Sequence, residues 1–231
     1  MATQYANGKI VTSGLVLALD AADRNSYVSG STVWNDVSGN GYSGSLVNGP
    51  SFDSANGGSI VFDGSNDYIG GISNPTITNQ LTMNVWCNMD PSNIISPSIA
   101  SAIIGREFSY RIIMFNESIS FAVRTSNNFW YTPGTFVDGI IQNNAWFNAS
   151  AIYDGTQILL YVNGTLVGTG GSPISGNILT GGSGNFSIMG NIAVNLTYGK
   201  GLVSSVQMYN RALLASEVLQ NYNAQKSRFN L

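Results

Sequence analysis

Two short apolar runs, residues 158–162 and 165–167, are separated only by Asn163-Gly164. Asn-Gly supplies the two positive-φ residues of a type I′ turn, whose twist matches that of paired strands. This hairpin sets a period of two, and the same period recurs along the chain. In 81–87, Leu81, Met83, Val85 and Cys87 share one face. Phe108, Tyr110, Ile112 and Met114 alternate in 108–115, and Ile119, Phe121 and Val123 alternate after them. Residues 14–20 form a short apolar run suited to a strand buried on both faces, and 59–62, 146–153, 186–189 and 202–209 are further strands. Turn signals recur every 8–12 residues or so, as in a sandwich or barrel.

One helix is expected, at the C-terminus, where Leu214, Val218 and Tyr222 fall on one stripe at i, i+4 and i+8. No linker divides the chain, which predicts a polar N-terminal arm over 1–13 and one domain over 14–231.

Composition then excludes several functions. Only 9% of the 231 residues are charged, and the net charge is −3 without a basic run, so there is no electrostatic footprint for nucleic acid. No stretch is long and apolar enough to predict a membrane-spanning helix. The first residues carry no apolar core of an export signal, which predicts folding in a cytoplasm. Cys87 is the single cysteine and is expected as a buried thiol. There is no histidine, which excludes Ser-His-Asp and Cys-His catalysis and any His-ligated zinc.

Four segments in order carry a resemblance. They are Trp34-Asn35-Asp36-Val37-Ser38-Gly39-Asn40-Gly41, then Phe62-Asp63-Gly64-Ser65-Asn66-Asp67-Tyr68-Ile69, then Tyr153-Asp154-Gly155 with Leu160-Tyr161-Val162-Asn163-Gly164, and finally Tyr209-Asn210-Arg211-Ala212-Leu213 with Glu217. Together they resemble the laminin-G-like, concanavalin A-like lectin/glucanase jelly-roll family. The resemblance implies an all-β fold: a two-sheet antiparallel β-sandwich with one short C-terminal helix. It also implies glycan or protein binding, often with calcium. The family usually has Ser where this chain has Leu214, so the capping box with Glu217 is broken and the helix is expected to start later or to be held by packing.

Relatives of this fold include glucanases, whose strand-borne acids follow E-x-D-x-E. The three glutamates here, Glu107, Glu117 and Glu217, each lie more than two residues from another acid, which argues against an enzyme. Calcium is the one metal to argue for: Asp63, Asn66 and Asp67 crowd hard oxygens into five residues, and Asp36 lies in a second loop. The competing reading of these residues is turn chemistry. For a sugar, Asn127, Asn128, Trp130 and Tyr131 combine amides with an aromatic shelf, although such aromatics also serve as core.

The C-terminal run 221–229 resembles the tails of laminin-G-like structural proteins of tailed phages. The expectation is therefore a non-enzymatic virion-surface protein, a capsid decoration or a tail or fibre appendage. It would be made in the host cytoplasm, would associate with itself or with other virion proteins, and would display a face for cell-surface polysaccharide. The alternatives are a free bacterial lectin, secreted or at the cell surface, and a glycoside hydrolase.

Overall fold

The computed structural model describes residues 4–5, 8–93, 100–127, 132–133, 136–170, 174–180, 184–190 and 196–231. Among these, the strands form two large sheets packed face to face. The first has the order Thr165–Thr169, Ile158–Val162, Trp146–Tyr153, Leu81–Met89, Lys200–Tyr209, Ser59–Asp63, Ser51–Asp53, and Leu15–Asp20 also pairs with Lys200–Tyr209. The second runs Thr132–Pro133, Ser118–Val123, Tyr110–Phe115, Ala100–Arg106, Phe186–Ile188, Tyr68–Ile72, Gly44–Val47, Val33–Trp34. Pairing is antiparallel except where Leu196–Thr197 lies parallel to Ala100–Arg106. This is the expected β-sandwich with its short C-terminal helix.

Alternation decides the core. Leu81, Met83, Val85, Cys87 and Met89 point inward and meet Tyr110, Ile112, Met114, Ile119, Phe121 and Ile188 from the opposite sheet. Burial pushes the Cys87 thiol pKa far up, so the sulfur is an inert core atom.

The outward row of that strand, Thr82, Asn84 and Trp86, is also fully buried. Buried amides and hydroxyls require partners. Asn84 donates to Gln207 Oε1 at 2.5 Å, and its own Oδ1 accepts from Asn148 at 3.0 Å and from Ser150 at 2.6 Å. Thr82 donates to the Arg211 carbonyl and accepts from the Leu213 amide. The Trp86 ring is stacked by Phe229 at 4.3 Å and by Tyr222 at 5.7 Å.

The cover over this face is the helix Ala215–Gln225 with the 3₁₀ turn Lys226–Phe229. Its buried residues are Val218, Asn221, Ala224 and Gln225. The expected stripe holds at Val218, which is buried, and at Tyr222, which stacks on Trp86, and is corrected at Leu214, which is 67% exposed because it is the extended N-cap residue ahead of the helix. Arg228 closes the end, pairing with the buried Asp20 at 3.1 Å and donating to Ser204 at 2.6 Å. The helix does not start later, as the interrupted capping box allowed: it begins directly after position 214. Leu214 is the N-cap without a side-chain acceptor, but Glu217 accepts from the Leu214 amide at 2.9 Å and is held by Arg211 through bonds of 2.6 and 2.8 Å.

Residues 10–13 are part of this cover. Ile10 and Val11 are buried, the Val11 amide donates to Asn221 Oδ1 at 2.8 Å, and the Val11 carbonyl accepts from the Tyr209 hydroxyl at 3.0 Å. The segment expected as a polar arm over 1–13 thus includes a docked end.

Two outcomes follow from this packing. Glu217→Gln should lower unfolding free energy by about 1 kcal/mol at neutral pH, read by urea denaturation. The Arg211 guanidinium holds the Glu217 pKa below its ordinary value. The charged form's contribution is therefore complete above the unfolded-state pKa of about 4.3 and fades as pH falls through the lower folded-state value, so the gap between the two proteins should close on acidification. Deleting residues 1–13 should destabilise the domain by roughly 2–4 kcal/mol, from lost Val11 burial and the orphaned Asn221 and Tyr209 groups. An unchanged thermal midpoint would restore the free-arm reading.

Candidate functional site

Phe115 pairs with Ser118, so Asn116 and Glu117 form a two-residue turn at the tip of a hairpin. Asn116 takes φ 53°, a left-handed conformation that asparagine tolerates. A second segment, 136–141, is pinned across this tip. Ile119 and Val137 exchange amide-to-carbonyl bonds of 3.1 and 3.0 Å, and the Ile141 amide donates to the Glu117 carbonyl at 2.9 Å. Ile141 is fully buried and anchors the segment in the core.

The two elements enclose an open cleft of about 500 Å³ floored by Asn116, Glu117, Ser118 and Asp138 and bordered by Pro91 and Ser92. It continues into a neighbouring hollow of about 430 Å³ walled by Phe115 and Phe136. Phe136 is 52% exposed and meets Phe115 edge-on, with centroids 6.2 Å apart at 70°. The Ser118 hydroxyl donates to Asp138 Oδ1 at 2.5 Å, fixing that carboxylate at the cleft wall. The cleft thus joins an outward aromatic face to two carboxylates and an amide, with no lysine or arginine among the described residues of its lining. Such a set can stack against sugar C–H groups and accept bonds from hydroxyls.

The described residues among those singled out in the sequence lie elsewhere. Asn127 is exposed, and its amide donates to Ser175 Oγ at 3.0 Å. Asn128, Trp130 and Tyr131 lie outside the described residues. Asp36 organises its own loop: Oδ1 accepts from the Ala18 and Ser38 amides, and Oδ2 accepts from the Ser38 hydroxyl and the Tyr42 amide. Asp63 accepts from the Ser65 amide at 2.7 Å, and the backbone amides of its turn hold its pKa below the ordinary value. Asp67 is buried and accepts from the Asp63 amide at 3.2 Å; desolvation, then the nearby Asp63 charge, raises its pKa. The Asn66 carbonyl accepts from the Asn48 amide. Among the described residues, no three of Cys, Asp and Glu gather into a metal-binding group.

Sequence reasoning missed Phe136, Asn116, Glu117 and Asp138 as a site. The available signal was topological: Asn116-Glu117 separates two alternating runs by two residues, and Asp138-Gly139 marks a second turn.

A model of the concanavalin A-like lectin/glucanases superfamily matches residues 63–219. No curated protein matches the sequence significantly. Among solved structures, the chain is similar to domain 4 of AbnA, a GH43 extracellular arabinanase from Geobacillus stearothermophilus, in complex with arabinotriose. That likeness has a TM-score of 0.68 at 16% identity and covers 92% of this chain and 99% of that domain. It is also similar to the binding domain of botulinum neurotoxin DC in complex with SialylT (TM-score 0.65, 11% identity, 93% of this chain and 52% of that one). The binding domain of Paraclostridial Mosquitocidal Protein 1 gives a TM-score of 0.66 at 14% identity, over 90% of this chain and 52% of that one. The chain spans about half the length of these toxin binding domains. At such identities the likeness shows the fold alone.

Proposed function

The chain belongs to the concanavalin A-like lectin/glucanases superfamily, and on that premise we propose that it is a non-catalytic domain that binds neutral carbohydrate. The observation that carries this reading is the cleft at the Asn116-Glu117 tip: Phe136 faces solvent beside Asn116, Glu117 and Asp138. An exposed aromatic ring beside oriented acceptors suits a sugar's C–H face and its hydroxyls. Two carboxylates without a cation in the lining repel acidic sugars. The AbnA domain solved with arabinotriose, which this chain covers almost end to end, lends support from the same fold.

The finer form of the proposal is a virion-surface role, as a capsid decoration or a tail or fibre subunit. What supports it is a surface poor in charge, which lets copies or partners pack closely, together with the phage-like C-terminal run. Recovery of the protein with purified particles in a density gradient is the expected result. A chain that stays free of particles would leave the lectin reading on its own.

A glycan array carrying neutral oligosaccharides, arabinotriose among them, beside sialylated ones should show binding to neutral members only. Phe136→Ala should weaken that binding at least about tenfold, equivalent to 1.4 kcal/mol, with an unchanged thermal midpoint. Repeating the array with a chelator tests the calcium proposal for the Asp63 to Asp67 loop, where lost binding would make that turn a metal site. Release of reducing sugar that ceases in Glu117→Gln or Asp138→Asn would replace this reading with a hydrolase.

A further inference from the structure

At the opposite end of the same sheet lies a second cleft, of about 290 Å³, lined chiefly by polar atoms of Tyr68, Gly70, Gly71, Glu107, Gly184 and Asn185. Its floor is a β-bulge. Phe186 pairs with Ile72 and Ile188 pairs with Ile69, so Tyr68–Ile72 carries one residue more than its partner strand. Gly71 takes the left-handed conformation that this requires, with φ 73°. The extra residue lets both Ile69 and Ile72 point into the core, and it leaves Gly71 exposed while Gly70 stays paired with Ser45 beneath the Tyr68 ring.

Two glycines also position the walls. A Cβ on Gly70 would lie 2.6 Å from the Tyr68 ring, and one on Gly184 would lie 2.9 Å from Glu107 Cβ. Glycine at these positions therefore lets the Tyr68 ring lie over the bulge and lets Glu107 close against Gly184. No hydrogen bond to another described residue consumes the Glu107 carboxylate. Asn185 stands beside it, with its amide oxygen 3.4 Å from the Asn74 amide nitrogen. The nearest cation, Arg106, is buried and donates to the Gly184 and Thr180 carbonyls, where it braces the wall.

From this geometry we infer that the bulge cleft is a second binding site for a neutral saccharide, with Tyr68 as the stacking ring and Glu107 and Asn185 as hydroxyl partners. The inference rests on the reading that the domain binds neutral carbohydrate. The two clefts lie at opposite ends of Tyr110–Phe115, six residues of extended strand or about 20 Å apart. One domain can then hold two points of a polysaccharide, or two separate chains, and gain avidity without new contacts.

The test is a backbone amide NMR titration of the full chain with arabinotriose, maltotriose, cellotriose and chitotriose in turn. The expected result is two groups of shifting amides, one around Asn116 and Phe136 and one around Gly70, Gly71 and Asn185, with separately fitted affinities. Glu107→Gln should weaken the second group at least tenfold and leave the first unchanged, and Phe136→Ala should do the reverse. Gly70→Ala, which displaces the Tyr68 ring, should also silence only the second group. Shifts confined to the Asn116 group with every sugar would overturn the second site while the proposed function stands. Silence in both groups would overturn both.

Discussion

The strand Leu81–Met89 is buried on both faces, and much of the structure follows from that constraint. A two-layer sandwich needs only one buried face per sheet. Here the outer row bears Asn84 and Thr82 beside Trp86, so apolar cover alone would strand amide and hydroxyl groups away from water, at about 1–3 kcal/mol each. The solution is a polar network across neighbouring strands, Gln207–Asn84–Asn148 with Ser150, capped by a helix whose own buried face carries Asn221 and Gln225. The Val11 segment completes it by pairing with Asn221 and Tyr209. Burial raises the Tyr209 pKa strongly, which keeps the phenol neutral and able to donate to the Val11 carbonyl. The two chain ends thus meet over the same sheet.

This closure determines where binding can occur. The outer face of the first sheet is sealed around Trp86 by Phe229 and Tyr222, and Trp146 lies against Phe229 as well. Among the described residues, no such helix lies over the second sheet. Its hairpin tips remain open, and both described clefts are built at the ends of its strands. Loops positioned by a rigid scaffold are where binding residues concentrate, and here the bridge between Ile119 and Val137 supplies the rigidity.

The fold was legible wherever local pattern and tertiary demand agreed. The inward row from Leu81 to Cys87 and the run Trp146–Tyr153 alternate cleanly, the apolar runs flanking Asn163-Gly164 carry a turn signal between them, and all of these are strands. Gly44–Val47, Tyr68–Ile72 and Ala100–Arg106 did not announce themselves. Tyr68–Ile72 is broken by a glycine bulge and Ala100–Arg106 by a register shift, so their periods are not two. Phe108 matched the alternating pattern but stands in a turn at φ 56°, with its exposed ring against Arg124. The stripe over Leu214, Val218 and Tyr222 failed only at its first member: periodicity presumes a helical residue, and Leu214 is the extended N-cap. The site was less legible still, because it joins residues about twenty positions apart through a backbone bridge that no local motif encodes.

The distribution of charge adds a last constraint on function. The buried or paired arginines are used within the fold: Arg228 on Asp20, Arg211 on Glu217, and Arg106 on two backbone carbonyls. Each of these guanidiniums is held by structural partners. Glu117 and Asp138 line one cleft, and Glu107 lines the other. Two requirements follow for a ligand of the proposed clefts: it carries no negative charge, and it offers donors to their carboxylates. A neutral polyhydroxylated ligand matches both requirements, since it brings donors for the carboxylates and C–H faces for Phe136 and Tyr68 without a charge to desolvate.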